Sequence, residues 1–104
     1  MLSAMEHRIS EREKEIFTEI SQLAKQYEAG KIVLFGSRAR RTHRPKSDID
    51  LAVYDCRNFR DFSFDADEKI RTLLQFDIVN MDGNVSEDLR KEIDRDGIVI
   101  YEKI

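Results

Sequence analysis

The segment from Ser47 to Tyr54 alternates between polar and apolar side chains, and this pattern restricts the fold more than any other part of the sequence. Successive side chains of a β-strand point to opposite faces of the sheet. One face would therefore carry Ile49, Leu51 and Val53. Asp48 and Asp50 share the other face with Ala52, and their Cα atoms are expected roughly 6.5 Å apart. Two carboxylates at this spacing can converge on a shared cation, and the less favoured alternative is the solvated side of an edge strand.

A short apolar run, Lys31 to Phe35, precedes this segment and lies between two glycines. It is too short for a helix and rich in Ile and Val, so it predicts a buried strand. The strand leads directly into Gly36 and Ser37. A turn of this kind exposes backbone N–H groups and a hydroxyl, which is typical of a phosphate-binding cradle. A lone Gly-Ser pair is more often an ordinary turn, so the neighbouring acids carry most of the argument.

Helical periodicity predicts three helices. The apolar positions of the first are Ile9, Ile16, Phe17, Ile20, Leu23, Ala24 and Tyr27. Ser10 and Glu13 form a capping box at its start, and Gly30 marks its predicted end. The apolar positions of the second are Phe62, Ala66, Ile70, Leu73 and Leu74. Ser86 is the predicted cap of a third helix, whose apolar positions are Leu89 and Ile93.

Two further strands are predicted, Gln75 to Met81 and Ile98 to Tyr101, with a turn at Asp82 to Asn84. Helices and strands alternate, so the predicted class is α+β, a small mixed β-sheet covered by helices. The 104 residues suit one domain, residues 1–104. The chain has no stretch of roughly 20 apolar residues and no apolar run near its start, so we expect a cytoplasmic protein. The single cysteine, Cys56, excludes an internal disulfide and is expected to be a packing residue.

Asp77 lies in the middle of the third predicted strand, between apolar neighbours. A carboxylate buried there is costly unless it is paired or binds a metal. Three converging carboxylates, Asp48, Asp50 and Asp77, would repel one another unless a cation lay between them. Oxygen ligands of this kind favour Mg²⁺ or Mn²⁺. Asp82 is the competing third acid, but it precedes Gly83 and is more typical of a turn.

A basic run lies between the predicted cradle and the acids, inside a chain whose formal net charge is -3. That net charge disfavours direct binding of nucleic acid. Charge runs are usually solvated surface, but this one connects a phosphate cradle to a metal site. We therefore predict that Arg38 and Arg40 bind phosphate. The roles of Arg41, His43, Arg44 and Lys46 stay open, and His7 has no identifiable role.

These residues resemble the signature of the minimal nucleotidyltransferases, relatives of the DNA polymerase beta superfamily. The resemblance rests on Gly36-Ser37, ten intervening residues and Asp48-Ile49-Asp50, within the stretch LFGSRARRTHRPKSDIDLAV. The strand FDIVNM resembles the segment that carries the third acid, and IDRDGIVIYE resembles the closing helix and strand. Arg41 departs from the pattern, because relatives often carry glycine there. The resemblance covers nearly the whole chain and implies the nucleotidyltransferase (polymerase beta-like) fold.

The resemblance also implies an Mg²⁺-dependent nucleotidyltransferase that uses ATP as donor. Asp48 and Asp50 would hold one ion on the triphosphate, and both together with Asp77 would hold a second beside the attacking hydroxyl. Asp77 is also a candidate to receive the hydroxyl proton. Gly36 and Ser37 would bind the terminal phosphates.

Stand-alone domains of this family resemble the antitoxins of HEPN/MNT toxin–antitoxin modules. The resemblance therefore implies transfer of AMP to a tyrosine of a partner HEPN ribonuclease toxin within a hetero-oligomer. No membrane binding is expected, because the sequence has no apolar stretch of membrane-spanning length. The alternative is a non-catalytic antitoxin that blocks the toxin by binding it. A third and less favoured possibility is transfer to a small molecule such as an aminoglycoside, with a dimer partner forming the second wall of the site.

Overall fold

The predicted strands form one four-stranded sheet in a computed structural model that describes residues 10–104. The strands are β1 (Lys31–Phe35), β2 (Ile49–Tyr54), β3 (Phe76–Asn80) and β4 (Ile98–Glu102). Their order across the sheet is β3-β2-β1-β4. β1 is antiparallel to both β2 and β4, whereas β2 and β3 are parallel. The mixed sheet confirms the predicted α+β class.

Within the described residues, four helices accompany the sheet: α1 (Glu11–Gln26), α2 (Gly36–Arg40), α3 (Phe59–Lys69) and α4 (Glu87–Asp96). The predicted capping box is present, because Ser10 and Glu13 each accept a hydrogen bond from the other's backbone N–H. Ile9 lies outside the described residues. α1 ends at Gln26, before the predicted stop at Gly30, and Glu28 takes the left-handed conformation with φ of 55°. No helix among residues 10–104 is long and apolar enough to cross a membrane.

Apolar residues cover both faces of the sheet. On the α1/α3 face the core includes Ile16, Ile20, Phe62, Ala66, Ile32, Leu34, Ile49, Leu51 and Val53. On the α4 face it comprises Val33, Phe35, Ala52, Met81 and Ile93, with Leu89 packed against them. The alternation predicted for β2 is therefore confirmed, because its odd-numbered residues pack under α1 and α3 while Ala52 packs under α4.

The second helix differs from its predicted course. α3 spans Phe59–Lys69, so Leu73 lies beyond it and is fully exposed instead of belonging to the core. The chain has to travel back to the start of β2 before it can pair in parallel with that strand. Ile49 N–H donates to the Gln75 carbonyl at 2.9 Å where this return is completed. The segment between α3 and β3 is thus a connection, and helical spacing within it is coincidental.

Candidate active site

Asp50 on β2 and Asp77 on β3 are register partners in the parallel pair. Phe76 and Ile78 pack on the α1/α3 face, whereas Val79 packs on the α4 face. Since side chains alternate along a strand, Asp77 points to the α4 face together with Asp50. Asp48 directly precedes β2 and is exposed. The structure therefore brings Asp50 and Asp77 to one face of the sheet, with Asp48 beside them.

The Asp50 carboxyl has a pKa raised to about 6 from its usual 3.8. Burial is the largest cause, and the negative charges of Asp77, Asp48 and Glu92 add to it, while Arg40 lowers the pKa. A carboxylate that is both desolvated and surrounded by like charges gains most from a bound cation. Perturbation of this kind is typical of functional sites.

Gly36 makes room for the Asp50 carboxyl. Its φ is 72°, a conformation that favours glycine, and a Cβ built on it would overlap Asp50 Oδ2 and lie 3.1 Å from Asp50 Cγ. Ser37 follows at the start of α2, where no side chain caps the helix. The turn predicted as a phosphate cradle is therefore in direct contact with the acid at the centre of the site.

The argument that Asp77 is a costly buried charge needs correction. β3 is an edge strand, and Asp77 is exposed to solvent. Water solvates its carboxylate, so burial does not force this residue to bind a metal. Its candidacy rests instead on its register with Asp50 and on the shared face. Asp82 is a loop residue, as predicted for the competing acid, and its carboxylate accepts from the N–H groups of Asp55 and Cys56.

The predicted phosphate contact of Arg38 also needs correction. Arg38 is only 3% exposed, and its guanidinium donates to Glu13 Oε2 at 2.9 Å. Further hydrogen bonds run to the carbonyls of Ser47 and Pro45 at 3.0 to 3.2 Å. These bonds engage the guanidinium inside the protein, so Arg38 is not available to an incoming phosphate.

Arg40 is placed differently, on the exposed side of α2. Its Nη1 lies 3.4 Å from Glu92 and 3.8 Å from Asp96, both on α4. Its positive charge acts on the pKa of Asp50, which places it beside the acids. Ion pairs between half-exposed side chains are weak, so a ligand phosphate can compete for this guanidinium.

Of the four residues whose roles stayed open, two are exposed and two are partly buried. Arg44 and Lys46 are exposed. Arg41 ends α2 with φ of 60° and bonds Glu13 Oε1 at 2.8 Å. Burial lowers the pKa of His43 and the charges of Arg41 and Arg38 lower it further, and its buried Nδ1 has no hydrogen-bond partner among the described residues.

Two acids near the site were not identified from sequence. Glu13 was assigned only to the capping box, yet its carboxylate also bonds Arg38 and Arg41 from a buried position. Glu92 belongs to α4, whose position over the sheet cannot be inferred from its own periodicity. The sequence does contain a signal for Glu13. This residue lies on the apolar side of the predicted first helix, and a buried carboxylate needs a partner.

The donor set suits a hard divalent cation, since it consists of carboxylate oxygens on a face where Asp50 is crowded by negative charge. Within residues 10–104, however, no group of three or more His, Cys, Asp or Glu side chains is close enough to hold a metal ion by itself. The predicted three-carboxylate cluster is thus not assembled in the described chain. Mg²⁺ commonly keeps several waters and binds through one or two carboxylates plus substrate phosphates, which such a site can accommodate.

Comparison with known proteins identifies the family. The family model described as polymerase beta, nucleotidyltransferase, matches residues 18–104. No curated protein sequence matches significantly. A toxin–antitoxin crystal structure with AMP-PNP is 21% identical with a TM-score of 0.63, and the match covers 84% of this chain and 73% of that one. A mutant of the toxin–antitoxin MntA-HpeT matches with the same identity and coverage and a TM-score of 0.64.

These two structures share the fold of the present chain, and the family model spans both the Gly36-Ser37 turn and the acids on β2 and β3. The chain belongs to the polymerase beta nucleotidyltransferase family.

Proposed function

We propose that this chain is an antitoxin that transfers AMP from ATP to a tyrosine hydroxyl of a partner HEPN-type ribonuclease toxin and thereby neutralises it. The observation that carries the proposal is the pairing of Asp50 with Asp77 on one face of the sheet, beside the Gly36 turn. Membership of the nucleotidyltransferase family supports the reaction type. The toxin–antitoxin complexes that share the fold, one of them with AMP-PNP, support the partner and the nucleotide.

The reaction is an in-line displacement at the α-phosphorus of ATP. The tyrosine oxygen forms a bond to that phosphorus, the bond to the bridging oxygen of the β-phosphate breaks, and pyrophosphate leaves. The phenolic proton passes to the Asp77 carboxylate, which is exposed at the edge of the sheet and accessible to a protein acceptor. Asp48, Asp50 and Asp77 would hold Mg²⁺ together with phosphate oxygens of ATP, and the ion would compensate the negative charge of the phosphates.

The remaining residues position the donor. Backbone N–H groups and the hydroxyl of the Gly36-Ser37 turn bind the terminal phosphates, because a glycine lets them approach the backbone closely. Arg40 leaves its weak ion pairs on α4 and adds positive charge beside the triphosphate. The protein therefore contributes mainly alignment and electrostatic stabilisation.

The test is mass spectrometry of the toxin after incubation with this chain, ATP and Mg²⁺. We expect a gain of one or more AMP units on a tyrosine, and no gain with the Asp48→Asn/Asp50→Asn double variant. That variant should still bind the toxin but fail to neutralise its ribonuclease activity. An unchanged toxin mass, with full neutralisation by the double variant, would instead establish the non-catalytic blocking antitoxin.

A control variant distinguishes loss of chemistry from loss of folding. Asp67→Asn changes an exposed aspartate on α3, which packs on the opposite face of the sheet from the acids. It should transfer AMP at the rate of the unmodified protein. If the toxin gains AMP with neither this variant nor the parent protein, the fault lies with the proposed reaction and not with the substituted aspartates.

A further inference from the structure

Glu13, Arg38 and Arg41 form a buried ionic network between α1 and α2. Glu13 is 4% exposed and Arg38 is 3% exposed. Glu13 Oε2 accepts from Arg38 at 2.9 Å and from Arg41 at 3.2 Å, and Oε1 accepts from Arg41 at 2.8 Å. The pKa of Glu13 lies below its usual 4.5: burial would raise it, but hydrogen bonds from Arg41 and Arg38 outweigh that effect.

The network continues into the loop that leads to the acids. Arg38 donates through Nε and Nη2 to the Ser47 carbonyl at 3.1 and 3.0 Å, and through Nη2 to the Pro45 carbonyl at 3.2 Å. Ser47 immediately precedes Asp48. Arg38 itself belongs to α2, the helix that begins at Gly36. The Arg38 side chain thus connects α2 to the backbone segment that immediately precedes Asp48.

Local hydrogen bonds also stabilise the conformation of this loop. Ser47 Oγ accepts from Arg44 N–H at 2.9 Å, and Ser47 N–H donates to the Arg44 carbonyl at 3.0 Å. On the other side, Ile49 N–H donates to Gln75 and starts the pairing with β3. Buried ion pairs contribute little net stability because desolvation offsets their attraction. Their value here is geometric, since one rigid guanidinium binds two carbonyls and a carboxylate at the same time.

We infer that Glu13 and Arg38 are positioning residues, which hold Asp48 at a fixed place relative to the Gly36-Ser37 turn. The inference rests on the proposed function for its consequence, the alignment of bound nucleotide with metal. Glu13 orients Arg38 and neutralises its charge, and Arg38 clamps the Pro45 and Ser47 carbonyls. Neither residue contacts substrate.

Two substitutions test separately the bonds of Arg38 to the loop carbonyls and the orientation of Arg38 by Glu13. Arg38→Lys keeps the positive charge next to Glu13, but one ammonium cannot reach both carbonyls as the guanidinium fork does. Glu13→Gln keeps the size of the side chain and loses the charge that orients Arg38. Matched controls are Arg12→Lys and Glu15→Gln, which alter an exposed ion pair on the same helix at 3.2 Å.

The first measurement is hydrogen exchange of the intact protein without ligand. In Arg38→Lys and Glu13→Gln we expect the Ser47 and Ile49 amides to exchange about 10-fold faster, because the loop opens locally more often. The Met81 amide, which donates to the Val53 carbonyl at 2.9 Å elsewhere in the sheet, serves as the internal reference and should not change. The control variants should match the unmodified protein at all three amides.

The second measurement is calorimetric titration with ATP, once with Mg²⁺ and once with EDTA. Without metal, the Gly36-Ser37 turn provides the contacts, so we expect the affinity to change less than about threefold in any variant. The gain in affinity that Mg²⁺ provides should fall about 10-fold in Arg38→Lys and Glu13→Gln, because a displaced Asp48 no longer aligns with the phosphates. A purely structural role would alter the melting temperature without this selective loss.

The outcomes are separable. Exchange rates and Mg²⁺-dependent gains equal to those of the controls would overturn the positioning role. If the unmodified protein binds no ATP, the proposed function fails, and the Ser47 and Ile49 exchange rates alone decide whether Glu13 and Arg38 hold the loop. If Glu13→Gln does not fold, Arg38→Lys still provides the test because it retains the charge.

Discussion

The Asp50 carboxyl occupies the space where a side chain on Gly36 would lie. The backbone of Gly36 is in the left-handed region, with φ of 72°, and a Cβ there would sit well inside the 3.0 Å limit below which real Cβ contacts essentially do not occur. The Gly36-Ser37 turn and Asp50 are therefore packed against each other, and this is possible because Gly36 has no side chain. Any residue larger than glycine must displace Asp50, the turn, or both.

Gly36→Ala is expected to lower stability and disrupt the site together. The left-handed conformation costs an L-residue roughly 1–2 kcal/mol, and the overlap with Asp50 adds to this. Chemical denaturation should show a loss of about 2 kcal/mol or more, and calorimetry should show lost ATP binding. Gly83→Ala is the matched control, because its Cβ would meet only the Asn80 carbonyl at 3.5 Å and the Asn80 amide at 3.9 Å. Equal effects of the two substitutions would contradict this account.

Asp50→Asn is expected to stabilise the fold at neutral and alkaline pH. The pKa of Asp50 is about 6 in the folded protein against 3.8 normally, so the folded state binds this proton more tightly than the unfolded state. The stabilisation that this proton gives to the folded state is complete below pH 3.8 and is lost as the pH rises through 6. Asparagine removes the ionised form, so the variant should gain about 1–2 kcal/mol at pH 8 after allowance for screening by water.

The comparison across pH checks the sign of this effect. Urea denaturation of both proteins should give free energies of unfolding that differ most near pH 8 and converge as the pH falls towards 4. A variant less stable than its parent at pH 8 would mean that the Asp50 carboxylate has a structural partner. Asp77→Asn offers a second check, since the charge of Asp77 raises the Asp50 pKa and its removal should lower that pKa in an NMR titration.

Arg40 and Glu92 should affect nucleotide binding in opposite directions. Glu92 lies 3.4 Å from Arg40, so it would compete with a bound phosphate for the positive charge of Arg40. Arg40→Gln is expected to weaken ATP binding about 10-fold, and Glu92→Gln to strengthen it about threefold, because a half-exposed ion pair is worth less than about 1 kcal/mol. Titration calorimetry measures both, with Arg57→Gln, an exposed arginine before α3, as the control. Weaker binding by the Glu92 variant would exclude competition for Arg40.

The sequence predicted the sheet well because strand signals are local. β1 was predicted with the bounds it has, and β2 was predicted with the correct residues on each face. Asp48, Asp50 and Asp77 were also expected together, and the parallel register of β2 and β3 places the latter two opposite each other. Their roles as metal ligands stay predictions.

Tertiary placement was less predictable. Arg38 and Arg40 looked alike in a basic run, but an α2 of five residues buries one and exposes the other. Which one is buried depends on Glu13, a residue 25 positions away from Arg38. Asp77 looked buried because its neighbours are apolar, yet the sheet order leaves β3 at an edge. Neither the long-range ion pair nor the strand order is encoded in local periodicity.

Arg41 tests the balance between backbone strain and a buried ion pair. Its φ of 60° is a conformation that glycine adopts without strain, so Arg41→Gly should relieve roughly 1 kcal/mol. The same substitution removes the bonds at 2.8 and 3.2 Å to the buried Glu13 carboxylate. Hydrogen bonds to charged groups contribute about 1.5–3 kcal/mol, so the loss should exceed the relief.

We therefore expect Arg41→Gly to be less stable by about 1–3 kcal/mol in chemical denaturation. In the Glu13→Gln background the carboxylate that Arg41 stabilises is already absent. The same substitution should then cost less, because it still removes the bond to the Arg38 carbonyl but no longer a bond to a buried carboxylate. If Arg41→Gly raised the stability of the unmodified protein, the strain of the left-handed backbone would exceed the contribution of the ion pair.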